Sequence, residues 1–500
     1  MKLENIIGGD LVVTEEQLKD DGELVAEMQK KLRALGLYPG GQFIDGDYGG
    51  RTRNALKEFC AAFSLPNMNS GTFDKTFAGK LSTVRQLAFI LDQSKNKSYV
   101  FDKLLGIERS WQKFYRPKDD EIGLLAFLDR KIEYSIYSSE IQNYPSRLQN
   151  KPNGITLVSH GSQISLTNPI RTVEFSLYPE RGKLPKSGFD QQGLAFLDPD
   201  VTEACVCVGS FVDGVVNVHW SGRNALRNAK FWSATKFIPV LNTLCQTNQL
   251  FPQIKLDRCS IRGSAEREGF IFFNLLNDIE TYDENIGTSN SIAEMFKRFS
   301  TRQGLENWLK QLTGNSGLNF QWYYGEKTFR IFPQLYNQST GDILLDARKT
   351  SQEPSGSNQM SAYDLTRIIT MLGWHNYIAE NSRLPNALWD SLKGIIKSMG
   401  RDRARYIDVA FETLGLGNVI SSPAIVSKLG LGDNRDLTYV AFAQFVDERL
   451  KSNTKPAKLR TLAMALRVNG AQVSSFIEAD VRMATEVTEI IRRVVTEEFA

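Results

Sequence analysis

Residues 203–222, EACVCVGSFVDGVVNVHWSG, and residues 227–246, RNAKFWSATKFIPVLNTLCQ, decide how the larger part of this chain folds. The first stretch holds two strand-like runs, Ala204 to Gly209 and Val212 to Trp220, separated by a turn, and predicts a hairpin at the start of an antiparallel sheet. The second reads as an apolar helix beginning near Trp232, on which Ser233 and Lys236 are one turn apart and face the same way. A serine hydroxyl becomes a nucleophile only with a base in hydrogen-bond reach. A lysine withdrawn from water, or held near a second cation, binds its proton less tightly and can be that base. The helix N-terminus adds N–H groups that favour a developing oxyanion. By itself Ser-x-x-Lys also reads as a polar turn in a helix, because so short a pattern recurs by chance.

Downstream come GTSNSIAEMFKRF (287–299), GLENWLKQLTGNSG (304–317), MSAYDLTRIITML (360–372), LKGIIKSMG (392–400) and PAIVSKLGLGDNRDLTYVAFAQFVDERL (423–450). A strand-like KLRTLAMALRV (458–468) precedes a long helix with an apolar stripe of Val473, Ile477, Val481, Ala484, Val487, Ile491 and Val494. From about residue 201 to the end, this succession resembles the serine β-lactamase and penicillin-binding protein superfamily, class A members above all.

The resemblance implies a mixed α/β domain over 201–500, with a central antiparallel sheet flanked by helices. It implies Ser233 as acyl-accepting nucleophile and Lys236 as its base. Thr288-Ser289-Asn290 falls at the family's Ser-x-Asn motif, so that Thr288 would relay a proton and Asn290 would bond the substrate amide and the base lysine. Lys428-Leu429-Gly430 falls on the strand that usually carries Lys-Thr-Gly. Lys428 would supply a cation, Gly430 room for substrate along the strand edge, and the N–H groups of Leu431 and Ser233 an oxyanion hole. Leu429 lacks the hydroxyl that holds a substrate carboxylate in the family, a bond worth roughly 1.5–3 kcal/mol. Within LNFQWYYGEKTF (318–329), Tyr323 stands where class A enzymes carry a deacylating glutamate, and Glu326, three residues on, is the substitute candidate.

Toward the N-terminus, residues 20–82 form a second unit. Val25, Met28, Leu32 and Leu35 recur at helical spacing, with Gly36 at the expected helix stop. A tight Asp45-Gly46 turn leads to Thr52, a candidate N-cap, and to a helix carrying Ala55, Leu56, Phe59 and Phe63. A third short helix is expected from about Thr72. The order LGLYPGG (35–41) then DGDYGGRTRNALKEF (45–59) closely resembles the three-helix peptidoglycan-binding module of cell-wall hydrolases. That resemblance implies peptidoglycan as a partner. Turn and cap chemistry already accounts for Asp45, Tyr48 and Thr52 as structural residues rather than ligand contacts.

Residues 83–200 read as a connector helix and a mixed elaboration, with helices in VRQLAFILDQ (84–93) and DEIGLLAFLDRKIEYSIYSSEI (120–141) and strands in GITLVSH (154–160) and RTVEFSLYP (171–179). Sixty Lys and Arg against 57 Asp and Glu leave a net charge of +3, too weak a field to favour nucleic acid. Nothing approaches the roughly 18 apolar residues of a spanning helix, so no membrane insertion is expected. MKLENIIGGDLVVTEE (1–16) lacks the pattern of a secretory signal, which predicts synthesis in the cytoplasm and a non-Sec route to the envelope. Cys60, Cys205, Cys207, Cys245 and Cys259, with no CxxC spacing, read as reduced core residues. His160, His219 and His375 show no ligand spacing, so neither metal nor cofactor is expected.

Two functions fit. One is a wall-binding serine acyl enzyme acting on peptidoglycan stem peptides, of the transpeptidase or carboxypeptidase kind. The other is a catalytically silent β-lactamase fold that docks a larger envelope or phage-tail-like assembly onto the wall.

Overall fold

The computed structural model describes residues 1–9, 11–35, 37–38, 44–63, 65–84, 86–114, 124–154, 156, 163–167, 170–350, 353–432, 434–449, 451 and 456–498. They divide into two compact units, Met1–Val100 with Glu412–Leu416, and Phe101–Phe411 with Gly417–Ala500. The division falls at residue 100, so residues 101–200 belong with the sheet-bearing unit.

The first unit is helical. Helices α1 (Gly22–Ala34), α2 (Gly50–Ala62) and α3 (Lys75–Thr83) bury Leu24, Val25, Met28 and Leu32, then Ala55, Leu56 and Phe59, then Phe77, Ala78 and Leu81. Their apolar faces meet in one core, which Leu3, Ile6 and Tyr48 complete. The buried Gln29 organises the turn between α1 and α2. Its Nε2 donates to Asp45 Oδ1 (2.7 Å), the Asp47 carbonyl (3.1 Å) and Thr52 Oγ1 (2.9 Å), and its Oε1 accepts from Gly46 N (3.0 Å). Gly46 has φ +71°, and a Cβ there would lie 2.5 Å from the Gly22 carbonyl oxygen, so only glycine fits.

Two expectations change in this unit. Thr52 is not a cap: Gly49 precedes the helix, and Thr52 is buried in the first turn, donating to the Asp47 carbonyl (2.8 Å). The last helix starts at Lys75 behind the Asp74 cap, because Thr72 and Phe73 pair instead with Thr14 and Val13. Tyr48 is core, and burial pushes its hydroxyl up to about 12. Gly36 lies outside the described residues. Replacing Gln29 with leucine should leave the partners of its amide unsatisfied and lower the stability of this unit by about 2 kcal/mol, measurable as an earlier denaturant transition.

The second unit is built on a six-stranded antiparallel sheet. Its strands are β1 (Ser176–Leu177), β2 (Val201–Val212), β3 (Val215–Arg223), β4 (Ile420–Leu431), β5 (Leu437–Asp447) and β6 (Lys458–Val468), in the spatial order β4-β5-β6-β2-β3-β1. The hairpin expected at 204–220 is β2 and β3, paired from Val212↔Val215 to Ala204↔Arg223. Helices cover both faces. On one, α7 (Ala362–Gly373) lies over β5, β6 and β2, and Trp374 just beyond it packs on Phe442 and donates to Thr461 Oγ1 (2.8 Å). On the other, Tyr439 meets Tyr406, whose hydroxyl donates to Asp480 of α9 (Phe476–Thr496). Helices α4 (Phe237–Leu250), α5 (Phe272–Thr281), α6 (Ser289–Lys297) and α8 (Trp389–Met399) carry or support the site.

The described part of the helix expected over 120–141 is not α-helical, its only helical turns being 3₁₀ ones at Ile132–Tyr134 and from Ser138 on. Residues 124–129 form turns whose N–H groups are taken by carboxylates: Ala126 by Glu108, Phe127 and Leu128 by Asp480, and Leu125 by Asp129. Side-chain acceptors replace the helical carbonyls, so local propensity is overridden. Of GITLVSH only Gly154 and Thr156 are described. The five cysteines are free and buried. His219 bridges the Glu174 carbonyl and Asp190, His375 stacks on Trp389, and His160 lies outside the described residues. Among the described residues no helix is long and apolar enough to cross a membrane, and no cluster could hold a metal.

Candidate active site

Ser233 lies on a 3₁₀ turn, Trp232–Thr235, with α4 beginning at Phe237. The expected single helix is therefore split. In a 3₁₀ turn residues i and i+3 eclipse, and this local geometry, rather than an α-helical turn, puts Ser233 and Lys236 on one side. Trp232 has φ +48°, a left-handed conformation that costs an L-residue roughly 1–2 kcal/mol. It is held there by its indole, which donates to Asp436 Oδ2 (3.2 Å) and packs where a Cβ on Gly432 would collide with it. Asp436 is fixed in turn by Arg467 (2.8 Å), which also pairs with Glu203 (2.9 Å).

Strand β4 is the sheet edge, and the 3₁₀ turn lies against it. A Cβ on Gly430 would come 2.6 Å from the Phe231 carbonyl oxygen, 2.7 Å from Ala234 N, and closer still to Thr438 Oγ1. Glycine is thus demanded by the approach of the serine turn to the strand. The expectation that this side holds room for substrate is corrected accordingly.

A cleft of about 270 Å³ opens at this edge, lined by Ser233, Lys236, Tyr282, Ser289, Asn290 and Glu326 among polar groups, and by Leu128, Leu429 and Leu431 among apolar ones. Lys236 is buried, and its Nζ donates to Ser289 Oγ (2.9 Å). Burial, and then the charge of Lys428, hold the Lys236 ammonium well below its ordinary range, against the opposing pull of Glu326, Glu280 and Glu284. A lysine that binds its proton less tightly, at the cleft floor, is what a general base requires.

Lys428 does not line the cleft. It is fully buried behind Tyr282, donating to the Tyr282 hydroxyl (2.9 Å), with Glu280 Oε2 at 3.8 Å and Asp402 Oδ1 at 3.9 Å. Burial alone would lower its proton affinity, but Tyr282, Glu280 and Asp402 outweigh that and raise it. Tyr282 ends α5 in a left-handed conformation, φ +60°, with its ring beneath both Lys428 Nζ (4.1 Å) and Lys236 Nζ (5.3 Å). Burial keeps its phenol protonated, although the Lys428 charge and hydrogen bonds from Lys428 and Ser233 oppose this. Burial likewise lifts the Glu280 carboxyl to about 8, partly offset by the two lysines.

The Thr288-Ser289-Asn290 stretch is used differently from the expectation. Thr288 is the N-cap of α6: its Oγ1 accepts from Ser291 N (3.2 Å) and donates to Glu326. Asn290 Nδ2 donates to Glu326 Oε1 (2.8 Å), and it is Ser289, not Asn290, that receives Lys236. Glu326 is thereby held in the cleft wall. Tyr323 is not part of that wall, and its carbonyl accepts from Asn358 (3.3 Å).

Sequence reasoning missed Ser289, Tyr282, Glu280 and Asp402. A capping signature was legible for Thr288, a threonine ahead of the apolar Ile292, and would have released Ser289 for Lys236. For Tyr282 no signal exists, since a tyrosine closing a helix in left-handed geometry runs against residue preference.

Residues 21–75 match the family model described as "Putative peptidoglycan binding domain". Among solved structures, the sheet-bearing unit superposes on a class A β-lactamase of the reconstructed last common ancestor of Gram-negative bacteria. That match has 11% identity and TM-score 0.36, and covers 60% of this chain and 95% of the other. A second ancestral class A β-lactamase gives 12% identity, TM-score 0.36 and coverage of 62% and 99%. A chromosome-encoded β-lactamase mutant of Vibrio parahaemolyticus gives 8%, 0.37, and coverage of 60% and 98%. No curated protein matches the chain. Residues 21–75 are thus of the peptidoglycan-binding type. The second unit is a mixed α/β unit with an antiparallel sheet and a polar cleft at its edge.

Proposed function

We propose that this is a wall-directed serine acyl enzyme, whose first unit holds peptidoglycan while Ser233 attacks an amide or ester of its stem peptides. The observation that carries the reading is the meeting, in one cleft, of a half-buried Ser233 with a desolvated Lys236 and with Tyr282, itself backed by the Lys428 ammonium. Lys236, as the free amine, takes the Ser233 proton while Oγ bonds to the carbonyl carbon. The oxyanion is met by the N–H groups of Ser233 and Leu431. On collapse the leaving nitrogen or oxygen takes a proton from Tyr282, and Lys428 stabilises the resulting phenolate until the Lys236 ammonium returns the proton to it. Water then attacks the acyl carbon, with Glu326, oriented by Asn290 and Thr288, accepting its proton and passing it to Ser233 Oγ as the acyl bond breaks. Leu429 in the wall disfavours a substrate with a terminal carboxylate at that point.

A fluorescent serine-directed phosphonate incubated with the full chain, followed by peptide mapping, tests this. Label on Ser233, absent from Ser233→Ala, is the expected outcome; no label, or label unaffected by that substitution, removes the reading. Purified wall sacculi should also sediment the chain. Tyr282→Phe keeps the ring beneath the lysines and removes only the hydroxyl. It should slow turnover of an ester substrate about 10²-fold, as expected for loss of one proton-transfer group.

A further inference from the structure

A second cavity, of about 450 Å³, lies in the same unit but outside the cleft. Its walls come from α5, from α8 with Arg401 beyond it, and from the segment at Lys255–Asp257. Four cations face it, Lys255, Lys393, Lys397 and Arg401, against two carboxylates, Asp257 and Asp390. Lys393 is held by Asp390 (2.7 Å). The side chains of Lys397 and Arg401, only partly exposed, have neither ion pair nor hydrogen bond among the described residues. The floor is firm: Gly394 packs so closely on Phe273 that a Cβ would enter its ring.

Lys393 and Lys397, four apart on α8, repel one another, and Arg401 lies just beyond the helix end. The C-terminal end of α8 favours Lys397 through the helix dipole. That does not account for Lys255, which reaches the same hollow from a separate segment. An anion seated between them relieves the repulsion, and a guanidinium fork with ammonium groups from two directions suits tetrahedral oxyanions that accept several hydrogen bonds. The volume lies within the range of small-ligand sites.

We infer that this cavity binds a phosphoryl group carrying at least two negative charges in reach, such as a pyrophosphate or consecutive phosphodiesters, with Lys397 and Arg401 as its principal partners and Lys255 on the opposite wall. The inference is independent of what Ser233 does.

The test uses the full chain with inorganic pyrophosphate and with a soluble glycerol-phosphate oligomer, each read by calorimetry and by thermal melting against sodium chloride of equal ionic strength. Either ligand should raise the melting temperature above the salt control. Binding to pyrophosphate alone assigns a soluble phosphate, and binding to the oligomer alone a phosphodiester polymer. The double variant Lys397→Gln, Arg401→Gln should weaken binding at least tenfold while melting like the parent without ligand. Lys255→Gln, on the far wall, should weaken it several-fold and provides the reading if the double variant is unstable. Melting indistinguishable from the salt control for both ligands, or variants that bind like the parent, overturns the inference.

Discussion

Replacing Lys236 with methionine is expected to slow phosphonate labelling of Ser233 by about 10³–10⁴-fold, the upper range for removal of a general base. Methionine keeps most of the buried stem, so the loss reads the amine and not the packing. The pH dependence of the parent follows from the same group. Burial and Lys428 lower the proton affinity of Lys236, so the free amine forms below the ordinary lysine range. Labelling should therefore rise with pH through that lowered pKa and level off below pH 10.5, the ordinary lysine value. Removing the second cation raises the Lys236 pKa. Lys428→Met should accordingly shift the rising limb to higher pH, whereas a purely structural Lys428 would change the rate at all pH values without moving the limb. Labelling that still rises through pH 10.5, the ordinary lysine value, would contradict the assignment of Lys236 as a desolvated base.

Asp480→Ala should be the most destabilising single change outside the cleft, by roughly 4 kcal/mol, measured by denaturant unfolding. The Asp480 carboxyl is fully buried and accepts from Phe127 N (3.0 Å), Leu128 N (3.1 Å) and the Tyr406 hydroxyl (2.5 Å). Truncation leaves three buried donors without partners, each costing about 1–3 kcal/mol, less the relief of desolvating one carboxyl. Burial and the neighbouring Glu108 push the Asp480 pKa well above the usual carboxylate range. Glu108 and Asp129 share the task by holding Ala126 and Leu125. The segment they secure brings Leu128 and Asp129 to the wall of the cleft, and Asp129 pairs there with Arg403 (2.8 Å). The variant should therefore also blunt labelling of Ser233, which Asp480→Asn, keeping an acceptor oxygen, should largely restore.

Ser289 and Thr288 show why part of the candidate site was out of reach of the sequence. Counting positions from Ser233 reaches the right element but cannot tell which of two adjacent hydroxyls faces the lysine. That is settled by the phase of α6, whose first N–H groups claim Thr288 as a cap and leave Ser289 pointing inward. Glu326 illustrates the converse: three residues from the position the resemblance marked, it reaches the cleft because Asn290 and Thr288 draw it there.

What the sequence determined by itself was whatever depends on neighbours along the chain. The hairpin of β2 and β3, the apolar stripe of α9 and the packing faces of the first unit all follow from periodicity and turn chemistry. Tertiary structure alone decided the rest. Residues 124–129 abandon helix because Asp480, over 350 residues away, accepts their N–H groups. Tyr282 reaches Lys428 across 146 positions, and the turn holding Ser233 is strained into place by an indole bonded to Asp436. In each case the deciding partner is distant in sequence, and buried hydrogen bonds in a medium without water outweigh the local preferences that periodicity reports.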